Sequence, residues 1–145
     1  MDLETLYPLI TESIRRAEVL EDLQAPGARD AWHDVSRLEE RIAALLPASD
    51  PEGAIARRGA VSAAVSGGEF ERALTLVARF KTEGDVSAAL VADLEGLRHR
   101  ATVLVEEKTG GLRSRYPGVF ARHGVEAIQR FMFAYRQQGA PLPIR

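Results

Sequence analysis

Apolar residues recur along this chain at intervals of three and four, and proline or glycine interrupts them between helix-length segments. That period places them on one face of an α-helix. Leu6, Ile10, Ile14, Ala17 and Leu20 form the first stripe. They predict a helix over "PLITESIRRAEVLEDLQ". Pro8 lacks an N–H and is expected in the first turn, with Leu3–Tyr7 as a lead-in. "APGA" at 25–28 interrupts the pattern. A second stripe, Ala28, Ala31, Trp32, Val35, Leu38, Ile42 and Leu45, predicts a helix over about Ala28–Leu46. Arg37, Glu39, Glu40 and Arg41 fall mostly off that stripe and are expected to face solvent. Pro47 ends the helix.

"SDPEGA" is the strongest start signal in the chain. Asp50 can cap, Pro51 suits the first helical position, and Glu52 complements the helix dipole. The helix it opens, about Pro51–Ser66, carries Ala54, Ala56, Gly59, Ala60, Ala63 and Ala64, small side chains that allow close approach of a neighbour. "SGG" at 66–68 supplies a left-handed stop. A fourth helix is predicted over "EFERALTLVARFK", with Phe70, Ala73, Leu74 and Val77 on one face. Gly84 ends it, and Asp85 is expected to cap a fifth helix over about Val86–Lys108. Val86, Leu90, Leu94, Leu97, Ala101 and Leu104 keep register along it, and Gly110–Gly111 is expected to break it. "LRSRYPGVFARHG" reads as loop plus a short helical turn, and "VEAIQRFMFAYRQQ" as a final helix. No segment shows sustained two-residue alternation. The expectation is an all-α compact bundle of five to six helices, one domain over residues 1–138, with an extended tail over 139–145.

The stretch "SGGEFERALTLV" resembles the turn and second helix of a tetratricopeptide repeat. In that family a glycine closes the first helix, an acidic residue and an aromatic follow, and a small alanine packs on the partner helix. Gly68, Glu69, Phe70 and Ala73 fit that order, with Leu74 in the next apolar place. The resemblance covers one αα-hairpin, about 51–81. In the same register the family carries a large aromatic near Arg57, a small residue at Val61 and a tyrosine near Ala64, and this chain departs at all three.

Composition fits a globular chain: 46% hydrophobic and 28% charged over 145 residues. The absence of cysteine excludes disulfides, thiolate metal sites and a cysteine nucleophile. The acidic start of "MDLETLYPLITESIRR" is unlike a signal peptide, and no apolar run approaches the roughly 20 residues of a membrane span. A cytoplasmic location without membrane contact is therefore expected. Net charge is −2, unevenly placed. Residues 1–97 hold 18 acidic and 10 basic residues, whereas residues 98–145 hold 3 acidic and 9 basic ones. Such a division points to a polar partner surface, or to complementary parts of the chain.

Motifs for nucleotide, dinucleotide, serine-nucleophile and zinc-protease chemistry are missing. His33, His99 and His123 lie on separate predicted elements, with Asp30 and Glu95 each one helical turn before a histidine. Their spacing makes no convincing ligand set, so neither a metal nor another cofactor is expected. "RDAWH" at 29–33 resembles the Arg-x4–6-His motif of the HEPN ribonucleases, but Arg29 and His33 are one residue too close, and that enzymatic reading is rejected.

The last third carries the candidate surface. Arg130, Phe131, Phe133, Tyr135 and Arg136 combine residue types enriched in protein interfaces. The expected function is a non-catalytic helical protein–protein interaction module that self-associates. The alternative is a nucleic-acid-binding accessory protein using segment 98–136. There Arg113, Arg115 and Arg122 would meet phosphates and Tyr116 would stack on bases. A sequence pI of 5.9 weighs against that alternative.

Overall fold

The computed structural model describes the backbone of residues 1–115 and the side chains of residues 1–111. All regular structure among the described residues is helical: α1 Leu3–Asp22, α2 Ala28–Leu45, α3 Pro51–Ser66, α4 Phe70–Lys81 and α5 Ala88–Arg115. The chain divides into two compact units, Met1–Ala101 and Thr102–Arg145. The expected final helix and the tail 139–145 lie outside the described residues.

Helix α1 begins earlier than the proline suggested. The Asp2 carboxylate accepts from the Thr5 N–H at 3.0 Å, which caps the helix at Leu3 and carries Pro8 inside it. A proline there forfeits one backbone bond. The compensation is burial, since helical winding from Leu3 puts Leu6 on the same inward face as Ile10 and Ala17. The helix ends in a Schellman turn, with Ala25 N–H bonded to Leu20 O and Gln24 N–H to Glu21 O. Gln24 takes the left-handed position at φ 51°.

The α3–α4 turn has the same geometry with glycine where it belongs. Glu69 N–H reaches Ala64 O at 2.8 Å, Gly68 N–H reaches Val65 O at 3.0 Å, and Gly68 sits at φ 74°. The α3 start follows the sequence signal, with Asp50 accepting from Glu52 N–H and Pro51 in the first turn.

The fifth helix differs from expectation at both ends. Ser87 caps it, its hydroxyl accepting from Leu90 N–H at 3.1 Å. Asp85 instead accepts from the Ser49 N–H and hydroxyl, each at 3.2 Å, and so ties down the α2–α3 loop. Helical backbone also continues through Gly110–Gly111 to Arg115. Glycine lowers helix propensity by about 1 kcal/mol without forbidding the conformation.

Within the first unit, α2 packs on both α1 and α3, and α3 on α4. The core is built from Leu6, Ile10, Val35, Ile42, Val61, Leu76, Val77, Phe80, Leu90 and Leu94, with buried alanines between them. Ala56, Ala60, Ala63 and Ala64 are all buried on α3, as the small-residue pattern suggested.

Candidate functional site

The expected partner-binding set lies beyond what the structure describes. Arg113 and Arg115 fall in α5 past the described side chains, and Tyr116, Arg122, Arg130, Phe131, Phe133, Tyr135 and Arg136 lie outside the described residues. Within residues 1–111, the polar chemistry concentrates instead where α2, α3 and α4 meet.

Arg57 is its most connected member. It is buried on α3 and uses four N–H bonds: Nε to Glu83 at 2.7 Å, Nη1 to Gly53 O at 2.9 Å, and Nη2 to Ala43 O and Leu46 O at 3.1 and 3.0 Å. The last turn of α2 has no basic residue of its own. Arg57 therefore caps α2 from the neighbouring helix, satisfying carbonyls that the helix end leaves open. Its guanidinium also lies 5.6 Å from the centroid of the Phe80 ring, with Arg79 at 5.2 Å. Arg57 of α3 is thus a buried cation packed on an aromatic from α4.

A second tie joins α2 to the α3–α4 turn. Glu69 is 1% exposed and receives both terminal nitrogens of Arg37, at 3.0 and 3.1 Å. His33 Nε2 lies 3.0 Å from Gly67 O and 3.7 Å from Glu69, and its Nδ1 is 3.6 Å from Asp30. The charge-assisted pair with Glu69 holds the Arg37 guanidinium above its ordinary pKa range, against the opposing effect of burial.

Glu39 and Glu40 share α2 but not their surroundings. Burial disfavours ionisation of Glu40, yet Arg79 and Arg72 outweigh it and hold the carboxyl below its ordinary value. Glu39 does not face solvent, contrary to the sequence expectation. It is buried against α3, so close that a Cβ on Gly59 would lie 2.7 Å from its Oε1. Burial alone pushes its carboxyl up to about 7. The register held the signal: Glu39 is four residues after Val35 and three before Ile42, inside the apolar stripe.

Ser36 completes the group, donating to Ala60 O at 2.7 Å and accepting from Arg72 Nε at 3.2 Å. His99 is exposed on α5, and His123 lies outside the described residues. Among the described residues, no three His, Cys, Asp or Glu side chains are grouped to hold a metal ion. Of the "RDAWH" residues, Arg29 is exposed and Trp32 donates its indole N–H to Glu21.

An open cleft of ≈ 750 Å³ is lined by Arg41, Leu45, Pro47, Arg79 and Glu83, among others. A smaller one of ≈ 450 Å³ lies at the α1–α2 turn beside Trp32. Most of the charged groups in the first cleft already serve helix–helix ties. No described helix is long and apolar enough to cross a membrane. Compared with protein-family models, curated proteins and solved structures, the chain shows no match.

Proposed function

We propose that the protein is a non-catalytic helical interaction module that associates with a second copy of itself in the cytoplasm. One observation supports this reading most: large apolar side chains remain outside the core on three helices. Leu23 and Val19 of the α1 region, Leu45 of α2 and Ile55 of α3 are 49–70% exposed. Single exposed apolar residues are ordinary, but their recurrence in a chain whose sequence also carries a segment rich in Arg and aromatics favours a protein partner. Arg130, Phe131, Phe133, Tyr135 and Arg136 form the contact in this proposal, on a sixth helix following the five described. The 51–81 hairpin acts in it as a single tetratricopeptide-like packing unit.

Charge division supports a second reading. The basic excess of residues 98–145 would suit a nucleic-acid backbone, with Arg113, Arg115, Tyr116 and Arg122 as contacts. The acidic excess of residues 1–97 opposes a long polyanion, which is why this reading ranks second.

Size-exclusion chromatography with light scattering separates the two. Self-association predicts a dimer at micromolar concentration that Phe131→Ser with Phe133→Ser weakens and moderate salt leaves in place. A monomer that binds a mixed oligonucleotide at physiological salt, with affinity falling steeply as salt rises, would overturn it in favour of the second reading.

A further inference from the structure

Among the buried polar side chains of α2, α3 and the α3–α4 turn, Ser36, Arg57 and Glu69 have the partners given above. Glu39 has neither an ion pair nor a hydrogen bond, although it is only 8% exposed. It packs against Gly59 in the α2–α3 interface. The carboxyl carbon would be 2.8 Å from a Cβ on Gly59, so the Glu39 side chain packs directly on the glycine and would have to shift for any larger residue there. The adjoining contact, Ser36 to Ala60 O, is likewise a side chain on bare backbone. No described side-chain N or O that is sealed from solvent lacks a partner, so the Glu39 oxygens keep a thin edge of water.

Arginines on α1–α4 are engaged elsewhere. On α1, Arg15 faces Glu12. On α2, Arg37 binds Glu69. On α3, Arg57 binds Glu83 and Arg58 binds Asp93. On α4, Arg72 and Arg79 bind Glu40. None of these neutralises Glu39, and desolvation is the only influence on its ionisation.

We propose that Glu39 is a proton-controlled latch in the α2–α3 seam, closed when the carboxyl is neutral and loosened when it is ionised. A neutral carboxyl fits the Gly59 notch and needs little hydration. A carboxylate there calls for more hydration than that thin edge of water supplies, and lifting α2 from α3 would supply it. The neighbouring Ser36–Ala60 and Arg72–Ser36 contacts are the first that such a movement would lengthen. Burial holds this carboxyl at about 7, so the transition falls near neutrality.

Amide hydrogen exchange on the full chain at pH 6 and pH 8, corrected for intrinsic rates, tests the latch. Linkage with a closed-state value of about 7 and an ordinary open-state value of 4.5 gives a loss of protection on the order of tenfold across that interval. The loss is expected at seam amides such as Ala60 and Ala63, to be absent in Glu39→Gln, and to persist in Glu40→Gln. Protection that is independent of pH in the wild-type chain would overturn the proposal. So would a loss that survives Glu39→Gln, or one spread equally over α1–α4, which would signal global unfolding instead of a seam that opens.

Discussion

The two faces of α2 solve the problem of a buried carboxylate in opposite ways. Toward α4, Glu40 sits between Arg72 and Arg79, and the pair of cations repays its partial burial. Toward α3, Glu39 lies in a seam of glycine and alanine with no counter-charge. The residues are neighbours in sequence, yet a turn of about 100° separates their environments. A charged side chain at a helix interface strengthens packing only where its partner is built in, and weakens it where it is not.

The sign of the pH dependence follows from this contrast. The Glu39 carboxyl has a folded value of about 7 against an ordinary 4.5. Its proton is held more tightly in the folded chain, so its contribution is full below about pH 4.5 and is lost as pH rises toward 7. Glu40 is shifted down by its arginines, so its contribution is present above the ordinary carboxylate value and is lost as pH falls. Stability is therefore expected to peak on the mildly acidic side of neutrality.

The largest test of the contrast is Arg57→Met, which keeps an aliphatic stem and removes the donors. It leaves Ala43 O, Leu46 O and Glu83 without this partner, and a loss of about 3–5 kcal/mol in chemical denaturation is expected. A loss under about 1 kcal/mol would show that the cross-helix cap is dispensable.

Ala60→Leu probes the seam itself. Ala60 is fully buried and its carbonyl lies 2.7 Å from Ser36 Oγ, so overpacking is expected to cost about 1–3 kcal/mol. The same change at exposed Ala92 is expected to stay within about 0.5 kcal/mol. Equal effects at both sites would remove the close-approach argument.

The smallest effects discriminate best. Glu39→Gln is expected to stabilise the chain by about 1–2 kcal/mol at pH 8 and hardly at pH 5. Glu40→Gln is expected to destabilise by up to about 1 kcal/mol at pH 7, with less effect in acid, since its arginine partners are partly exposed and screened. Matching pH profiles for the two variants would erase the distinction between the faces.

Much of the helical layout was legible because each helix carries a three- and four-residue apolar period and explicit punctuation. Asp50–Pro51 and Gly67–Gly68 mark α3 at both ends, and both signals operate as their chemistry dictates. Pro8 misled because a strong cap at Asp2 and the inward Leu6 outweigh one missing backbone bond. Asp85 misled because a tertiary contact with Ser49 took the side chain that would have capped α5. Arg57 and Glu69 were opaque for a deeper reason. Their burial depends on distant partners, Ala43, Leu46 and Glu83 for Arg57 and Arg37 for Glu69, which no local period reveals. Glu39 was readable from register, but a glutamate suggests solvent until Gly59 is seen opposite it. The Arg- and aromatic-rich candidates from Arg113 to Arg136 lie past the described side chains, so their proposed role rests on the sequence.

The central claim, that adjacent carboxylates on α2 are driven in opposite directions by their seams, is tested most directly by carbon-13 NMR titration of the two side-chain carboxyls in the full chain. A Glu39 midpoint near 7 and a Glu40 midpoint below the ordinary 4.5 are expected. Coincident midpoints, or a Glu39 midpoint at or below 4.5, would contradict it.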